Sequence, residues 1–314
     1  MSADPIPTTP YLTYSRYLRA RHGRAVHRVA VDAGFSCPNR GPDRTRPGCS
    51  YCDPDGSRAP YLARCGGSLE RQVREAISFY ERRHGDGAYI LYFQAYSNTN
   101  APVQTLRQVY DEGLALADFC GLNVATRPDC LDLDKVDLLA SYRDRGLEVW
   151  MELGLQTARD ETLARIGRGH TFSDFEGAFH LARSRGLKIA VHLIFGLPGE
   201  GAAEIEETIR AVAALRPDGV KIHNLHVPVG TPLAREYQRG ELTVAGPQRH
   251  LRYVISAIEQ LPPETVIMRL TCDTPLEKLA APRGFWSKEK FLSALDTEMR
   301  ACGARQGRRF GPPR

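Results

Sequence analysis

Apolar residues along the chain follow two alternating patterns. In the stretch 68–83, Leu69, Val73 and Ile77 recur every four positions, which places them on one face of a helix. Short apolar runs such as 88–93 are typical of buried strands. Repeated alternation of such runs with helical stretches predicts parallel strands that are joined by right-handed crossovers.

The pattern predicts seven strands and eight helices. The strands are predicted at 25–32, 88–93, 122–126, 147–153, 187–195, 219–227 and 265–270. The helices are predicted at 68–83, 102–119, 134–145, 158–166, 173–185, 202–215, 244–261 and 286–299. Six or more strand–helix units are complete by about residue 240. A barrel and a doubly wound sheet both fit this order, because periodicity does not separate them.

Polar side chains follow the downstream ends of five consecutive predicted strands. Ligands of parallel α/β folds bind at the carboxyl ends of the strands. We therefore expect these residues to form one site: Gln94, Tyr96, Ser97, Asn98, Thr126, Arg127, Glu152, Gln156, His192, Pro198, His223, Asn224 and His226.

Three cysteines lie in a loop that is rich in glycine and proline. Eleven residues separate Cys37 from Cys49, and two separate Cys49 from Cys52. Three thiolates with no obvious fourth protein ligand beside them suggest a [4Fe–4S] cluster with one open iron. A zinc site completed by Cys65 and a redox Cys-x-x-Cys pair are the alternatives.

Composition narrows the class of protein. The chain has 314 residues, of which 42% are hydrophobic and 25% charged, as in an ordinary soluble protein. The sequence contains no apolar run long enough to span a bilayer and no secretory signal. Eight cysteines in a chain of this length do not predict a disulfide scaffold. We therefore expect a cytoplasmic protein with no membrane partner.

Positive charge is concentrated towards the two ends of the chain. One group consists of Arg16, Arg19, Arg21, Arg24 and Arg28. It belongs to a predicted basic N-terminal arm, 1–24, together with Arg28 just after it. The other belongs to a predicted mobile tail, 304–314, and consists of Arg305, Arg308, Arg309 and Arg314. Such basic ends suit a phosphate backbone, although a solubilising surface has the same composition.

Several motifs together resemble those of the radical S-adenosylmethionine enzymes. The cysteine loop, Glu152-Leu-Gly-Leu-Gln156 and Phe195-Gly-Leu-Pro-Gly-Glu200 carry this resemblance. The chain is most similar to the YhcC/YtqA-like branch, which is related to the Elongator catalytic subunit. The branch-specific stretches are 34–40, 92–102, 166–171 and 269–273, and the likeness extends from about Tyr14 to Met299.

The resemblance implies a fold and two cofactors. The fold is a partial (β/α)6 TIM-like barrel at 25–240 with a C-terminal α/β extension at 241–303. Cys37, Cys49 and Cys52 would hold a [4Fe–4S] cluster, whose open iron would bind S-adenosylmethionine. An external flavodoxin- or ferredoxin-like electron donor is implied as a partner.

The resemblance and the positions along the chain assign cofactor contacts to seven residues, and no catalytic residue is assigned. Many relatives carry a Gly-Gly-Glu-like segment where this chain has 94–98. The expected contacts are Tyr51 with adenine, Gln94 and Asn98 with the methionine amino group, Glu152 with the ribose, Gln156 as its brace, Arg168 with the methionine carboxylate, and His192 with the adenosine side.

The Elongator relationship suggests tRNA as the substrate. The predicted reaction modifies a wobble-uridine side chain, for example from carboxymethylaminomethyl to aminomethyl, on a base extruded into the barrel mouth. Tyr92, Tyr96, Phe172 and Phe175 are candidates for stacking on bases. The alternatives are a radical enzyme for a small metabolite or cofactor precursor, and a non-catalytic zinc-stabilised RNA-binding module.

The other five cysteines show no compact motif for a second cluster. They are Cys65, Cys120, Cys130, Cys272 and Cys302. Isolated cysteines are commonly small buried apolar residues. For Cys272, a hydrogen-donor role towards a substrate radical is the alternative to packing.

Overall fold

Seven parallel strands form the main sheet of the protein. The computed structural model describes residues 9–53, 56, 58–59, 62, 67–272 and 274–311. The strands are β1 Val26–Val31, β2 Ala88–Phe93, β3 Phe119–Thr126, β4 Glu148–Gln156, β5 Lys188–Phe195, β6 Gly219–Asn224 and β8 Val266–Arg269. They lie in the order β1-β2-β3-β4-β5-β6-β8. This order follows the chain without the reversal of a doubly wound sheet, so the barrel is the correct interpretation.

Ten α-helices are present among the described residues. They are α1 Tyr14–His22, α2 Leu69–His84, α3 Val103–Leu114, α4 Leu133–Asp144, α5 Asp160–Arg165, α6 Phe172–Ser184, α7 Ala202–Ala214, α8 Pro232–Gln238, α9 Pro247–Gln260 and α10 Lys288–Ala301. Local sequence fixes several starts: Ser68 caps α2, and Thr171 with Asp174 forms a capping box on α6. None of these helices has the length and apolar character that crossing a bilayer demands.

The predicted boundaries differ from the structure mainly around α3. This helix ends at Leu114, whereas the pattern extended it to residue 119. Phe119 begins β3 instead, because its side chain is buried in the core. The short helix α8 was not predicted.

Helix α1, within the predicted N-terminal arm, covers the base of the barrel. Thr13 caps α1, and α1 contacts both edge strands, β1 and β8. The hydroxyl of Tyr17 donates to Glu148 Oε1, 2.6 Å away, at the first residue of β4. The ring of Tyr14 packs edge-on against Trp150, with ring centroids 5.6 Å apart. The hydrogen bond and the ring contact hold α1 against the strands, so this part of the predicted basic arm is a packed helix.

The C-terminal extension belongs to the same body as the barrel. Its strand β8 pairs with β6, and its short strand β9 (Leu279–Ala281) pairs with β7 (Val227–Pro228). The expected mobile tail is packed over its described part, 304–311. Gln306 Nε2 donates to the carbonyls of Pro262 and Thr265 at 2.7 Å, and its Oε1 accepts from the Leu12 amide at 2.8 Å.

Candidate functional site

A cavity of about 500 Å³ opens at the carboxyl ends of the strands. Its walls come from the cysteine loop, the strand ends and the start of the C-terminal extension. The residues that line the cavity include Arg28, Cys37, Cys49, Tyr51, Cys52, Tyr92, Gln94, Tyr96, Arg127, Glu152, Gly154, Gln156, Arg168, His192, Lys221, His223, His226, Arg269, Cys272 and Lys288. The volume is in the range of sites for cofactors and small substrates.

Local hydrogen bonds shape the cysteine loop. A 3₁₀ turn, Pro38–Arg40, follows Cys37, and the Cys52 amide donates to the Cys49 carbonyl at 2.9 Å. The buried Arg40 guanidinium joins the two parts, because its Nη2 donates to the Asp53 carbonyl at 2.7 Å. One arginine thus brings the separated cysteines to the same side of the cavity.

Three nitrogen donors lie against the thiols. Asn39 Nδ2 is 3.2 Å from Cys49 Sγ, Arg168 Nη1 is 4.0 Å from the same sulfur, and Arg127 Nη1 is 3.8 Å from Cys37 Sγ. Although burial raises the pKa of the Cys49 thiol, Arg168 and Arg127 lower it below its ordinary value. These groups therefore favour the thiolate, the form that binds metal.

The donor set fits an iron–sulfur cluster. Thiolates hold such clusters, and N–H groups directed at sulfur tune them. Among the described residues, no three His, Cys, Asp or Glu side chains converge closely enough for a single metal ion. A cluster does not need that convergence, because each cysteine binds its own iron atom. The predicted zinc ligand Cys65 lies outside the described residues.

A buried ion pair crosses the lower part of the cavity. Lys221 Nζ lies 2.7 Å from Glu152 Oε2, and both side chains are buried. Tyr92 donates to the same oxygen at 2.5 Å, and Arg28 Nη1 lies 3.5 Å from Oε1. Although burial raises the pKa of Glu152, Lys221 and Arg28 outweigh it and hold this pKa well below its usual range. Burial lowers the pKa of Lys221, against the opposing charge of Glu152.

Two neutral histidines line the cavity beside this pair. The rings of His192 and His223 lie 4.3 Å apart between centroids. Burial, followed by the charge of Lys221, lowers the pKa of His192 far below its ordinary value. Burial and the neighbouring His192 do the same to the pKa of His223. Both rings are therefore uncharged near neutral pH.

Six of the seven residues predicted to bind the cofactor line the cavity: Tyr51, Gln94, Glu152, Gln156, Arg168 and His192. Asn98 does not. Its side-chain nitrogen donates to the carbonyls of Phe93 and Ala125, at 3.0 and 2.9 Å. Asn98 therefore links β2 to β3 through its nitrogen, while its side-chain oxygen has no partner among the described residues, so the contact with the methionine amino group stays a prediction.

For three of the six, the contacts in the structure differ from the expected cofactor contacts or brace. Arg168 directs Nη2 at the Gly154 carbonyl, 2.7 Å away, and Nη1 at Cys49, so its fork does not point at a carboxylate. Both Glu152 oxygens face protein cations instead of open space. Gln156 makes no hydrogen bond to Glu152, and its Oε1 has no partner among the described residues.

The aromatic candidates divide into two groups. Tyr92 and Tyr96 line the cavity, but Tyr92 is buried with its hydroxyl on Glu152. Phe172 and Phe175 stack on each other in α6, 6.0 Å apart between centroids, and are not among the lining residues. These two phenylalanines are therefore not base-stacking groups of the cavity.

The remaining described cysteines are dispersed. Cys120 is near the start of β3, Cys130 is buried after its end, and Cys302 is exposed at the end of α10. Cys272 lines the cavity, and its sulfur lies 3.5 Å from the Asn224 carbonyl. These four positions do not form a second cluster motif.

Sequence reasoning missed Lys221 and Arg269 and misplaced Arg28. Arg28 was taken as part of a basic arm, yet it points into the barrel towards Glu152. The alternation of side chains along a strand could have located these residues. Arg28, Glu152 and Lys221 each interrupt an apolar strand at a position that faces the inside of the barrel. A charge inside an apolar strand indicates a buried partner.

Family models match most of the chain. The model described as the Radical SAM superfamily matches residues 37–212, and the one described as the Radical_SAM C-terminal domain matches 217–301. YtqA of Bacillus subtilis is 37% identical over 99% of this chain and 97% of its own length. YhcC of Escherichia coli is 37% identical over 94% and 95%. Mouse Elongator complex protein 3 is 30% identical over 50% of this chain and 28% of its own length.

Solved structures share the fold. An archaeal Elp3 of Methanocaldococcus infernus superposes with a TM-score of 0.71 at 19% identity, covering 90% of this chain and 64% of that one. Methylornithine synthase superposes with a TM-score of 0.52 at 13% identity, covering 96% and 85%. The predicted partial barrel is confirmed.

Proposed function

Because this chain belongs to the radical S-adenosylmethionine superfamily, and within it to the group of YtqA and YhcC, we propose that Cys37, Cys49 and Cys52 hold its cluster. Enzymes of this superfamily use a [4Fe–4S] cluster and S-adenosylmethionine. Held by these three residues, the cluster would supply reductive cleavage of S-adenosylmethionine, the chemistry that gives a 5′-deoxyadenosyl radical for hydrogen abstraction. The observation that carries the assignment is the placement of all three thiols on one cavity wall, with nitrogen donors against two of them.

The residues around the thiols bind and orient the cofactor. Tyr51 offers its ring beside the thiols, and Gln94 and Gln156 offer amide groups from the ends of β2 and β4. The Oε1 of Gln156, which has no partner in the part of the chain that the structure describes, can accept from an ammonium or a hydroxyl. His192 Nε2, also without a partner among the described residues, provides a neutral contact on the adenosine side. Arg168 acts on Cys49 and orients the cysteine loop.

The substrate in this proposal is a tRNA whose wobble uridine carries a modified side chain. The partial likeness to Elongator complex protein 3 supports a tRNA substrate, and the wide cavity supports entry of an extruded base. The finer reaction is the conversion of a carboxymethylaminomethyl side chain to aminomethyl. A small metabolite is the competing substrate for the same chemistry.

Cluster binding is tested by anaerobic reconstitution with iron and sulfide. We expect the wild-type protein to be brown and its EPR spectrum to change when S-adenosylmethionine is added. Cys37→Ala should lose most of the iron and the colour, while Cys302→Ala, which removes an exposed thiol at the end of α10, should keep both. A colourless protein with equal zinc in both variants would instead indicate the RNA-binding module.

The substrate is tested by nucleoside mass spectrometry of tRNA from a deletion strain. We expect the carboxymethylaminomethyl nucleoside to accumulate and the aminomethyl products to fall. An unchanged profile would remove tRNA from the proposal and favour a metabolite.

A further inference from the structure

The lower part of the cavity contains more positive than negative charge. Arg28, Lys221 and Arg269 line it, and Glu152 is the carboxylate that the described residues place among them. Glu152 is shared by Lys221 and Arg28. Arg269 makes no ion pair among the described residues, and its guanidinium contacts His223, with Nη1 3.4 Å from Nε2.

The strand register makes this charge costly. Lys221 on β6 is the direct neighbour of Arg269 on β8. Like charges that face each other across neighbouring strands are destabilising, and a charge without a counterion in a poorly solvated cavity costs free energy. Glu152 offsets Lys221, but no described carboxylate offsets Arg269. A bound anion would offset the charge of Arg269 and so stabilise the neighbouring pair of Lys221 and Arg269.

The two histidines beside Arg269 are neutral, so they leave its positive charge available to an anion. His223 accepts from the guanidinium through Nε2, so this neutral ring orients the fork without adding charge. Beside it, His192 Nε2 is buried and has no partner among the described residues. The guanidinium fork of Arg269 matches the geometry of a planar carboxylate, and the two neutral histidines add no negative charge that would compete for it.

We propose that Arg269, held by His223 and next to Lys221, binds a carboxylate of the substrate. The inference rests on the proposed function, in which the carboxymethylaminomethyl side chain carries that group. The same site disfavours an aminomethyl side chain, because an ammonium would face Arg269 and Lys221 without a carboxylate. The pocket therefore selects substrate over product by charge.

The test measures binding of two anticodon stem-loops to the reconstituted protein by fluorescence anisotropy. One stem-loop carries 5-carboxymethylaminomethyluridine at the wobble position, and the other carries 5-aminomethyluridine. We expect the wild-type protein to prefer the first by on the order of tenfold or more, as the loss of a charge-assisted carboxylate contact would cost. Arg269→Gln should abolish the preference, and Arg269→Lys, which keeps the charge without the fork, should retain part of it.

A control variant and a cofactor measurement distinguish a contact with the substrate carboxylate from a general loss of positive charge and from a contact with the cofactor. Arg239→Gln removes a surface guanidinium that pairs with Glu241, so it should keep the full preference. Affinity for S-adenosylmethionine should be unchanged in Arg269→Gln. If that affinity falls while the side-chain preference persists, Arg269 binds the cofactor carboxylate and the inference is wrong.

The outcomes separate the inference from the proposed function. Equal wild-type affinity for both stem-loops, together with an altered tRNA profile in the deletion strain, overturns the inference and leaves the function standing. No binding of either stem-loop, with an unchanged tRNA profile, overturns the function and the inference with it.

Discussion

Lys221 is the residue that connects most of the cavity's polar groups. Its ammonium contacts Glu152 Oε2 and the Tyr92 hydroxyl, both at 2.7 Å, and it neighbours His192 and Arg269 on the adjacent strands. Removal of one member of a buried ion pair leaves the other without its main counterion.

We therefore expect Lys221→Met to destabilise the fold by about 3–5 kcal/mol, the usual cost of breaking a buried pair. The measurement is urea unfolding followed by circular dichroism. Glu152→Gln combined with Lys221→Met should cost less than the sum of the single changes, since neither charge is then left behind. Strict additivity of the two would show that the ion pair contributes no coupling.

Individual residues also show where sequence reasoning stops. The sequence predicted that the three cysteines and six cofactor candidates lie together, as they do in the cavity, because motif spacing and strand ends are local features. The partners of Arg168 and Glu152 were not, since Arg168 contacts Gly154 and Glu152 contacts Lys221, 69 positions away. Such pairings depend on the register between strands, which local patterns do not encode.

At the scale of the element, β4 supports the site through a glycine. A Cβ built on Gly154 would lie 2.7 Å from Arg168 Nη2 and 3.0 Å from Gln156 Nε2. Both atoms end flexible side chains, so the strand can tolerate the methyl group while these side chains move away from it.

Gly154→Ala should therefore fold normally but bind the cluster and S-adenosylmethionine weakly, because Arg168 leaves Cys49. Iron content after reconstitution and the thermal midpoint are measured together. Gly177→Ala in α6 is the matched control, since its Cβ meets no atom within 4 Å, and it should keep iron and gain about 0.5–1 kcal/mol. Full iron content in Gly154→Ala would show that Arg168 is dispensable for the loop.

Helices and strands were largely predictable from periodicity, and the exceptions have physical causes. Helix α1 is rich in arginine, and its apolar face consists mainly of Tyr14 and Leu18, so charge obscured the pattern. The end of α3 was misplaced because the helix and the following strand share an apolar run. The rule that consecutive parallel strands lie side by side predicted the strand order. Periodicity did not separate a barrel from a doubly wound sheet, and the strand order in the structure did.

Across the whole molecule, buried histidines predict acid sensitivity. Burial lowers the pKa of His250 to about 4, and burial together with Arg168 lowers that of His170 to about 4. In the unfolded chain each histidine takes up a proton near its ordinary pKa of 6.5. Between these values the unfolded state binds more protons, so the stability present above pH 6.5 is lost as the pH falls.

We expect these two histidines together to lower the free energy of unfolding by about 2 kcal/mol between pH 6.5 and 5.5, about 1 kcal/mol each, because the unfolded histidine is half protonated at the upper pH and almost fully protonated at the lower one. Urea unfolding at several pH values measures this slope. His250→Gln, which can still donate to the Leu270 carbonyl, should show a shallower slope. An identical slope in the variant would exclude His250 as a contributor.

Two arginines of the N-terminal basic group lie at the end of the barrel opposite the cavity. Arg16 and Arg19 are exposed on α1, which packs where the strands begin, and Lys288 lines the cavity. If a tRNA base enters the cavity, the phosphates near it meet Lys288 and not the expected N-terminal arginines.

Arg16→Gln with Arg19→Gln should accordingly leave tRNA affinity and its salt dependence unchanged. Lys288→Gln should reduce the slope of log affinity against log salt by about 1, the effect of one lost phosphate contact. Filter binding over a salt series compares the two. A reduced slope in the arginine variant would place the RNA along α1.

The hydrogen bonds of Gln306 have a genetic consequence. One amide joins the residues before α1 to the loop ahead of β8, and the Gln306 backbone N–H also bonds the Pro10 carbonyl at 3.0 Å. A nonsense codon or frameshift at position 305 would spare every cavity residue yet remove the hydrogen bonds that join the residues before α1 to the loop ahead of β8. Late truncating alleles of this gene should therefore behave as loss-of-function alleles through degradation of the polypeptide.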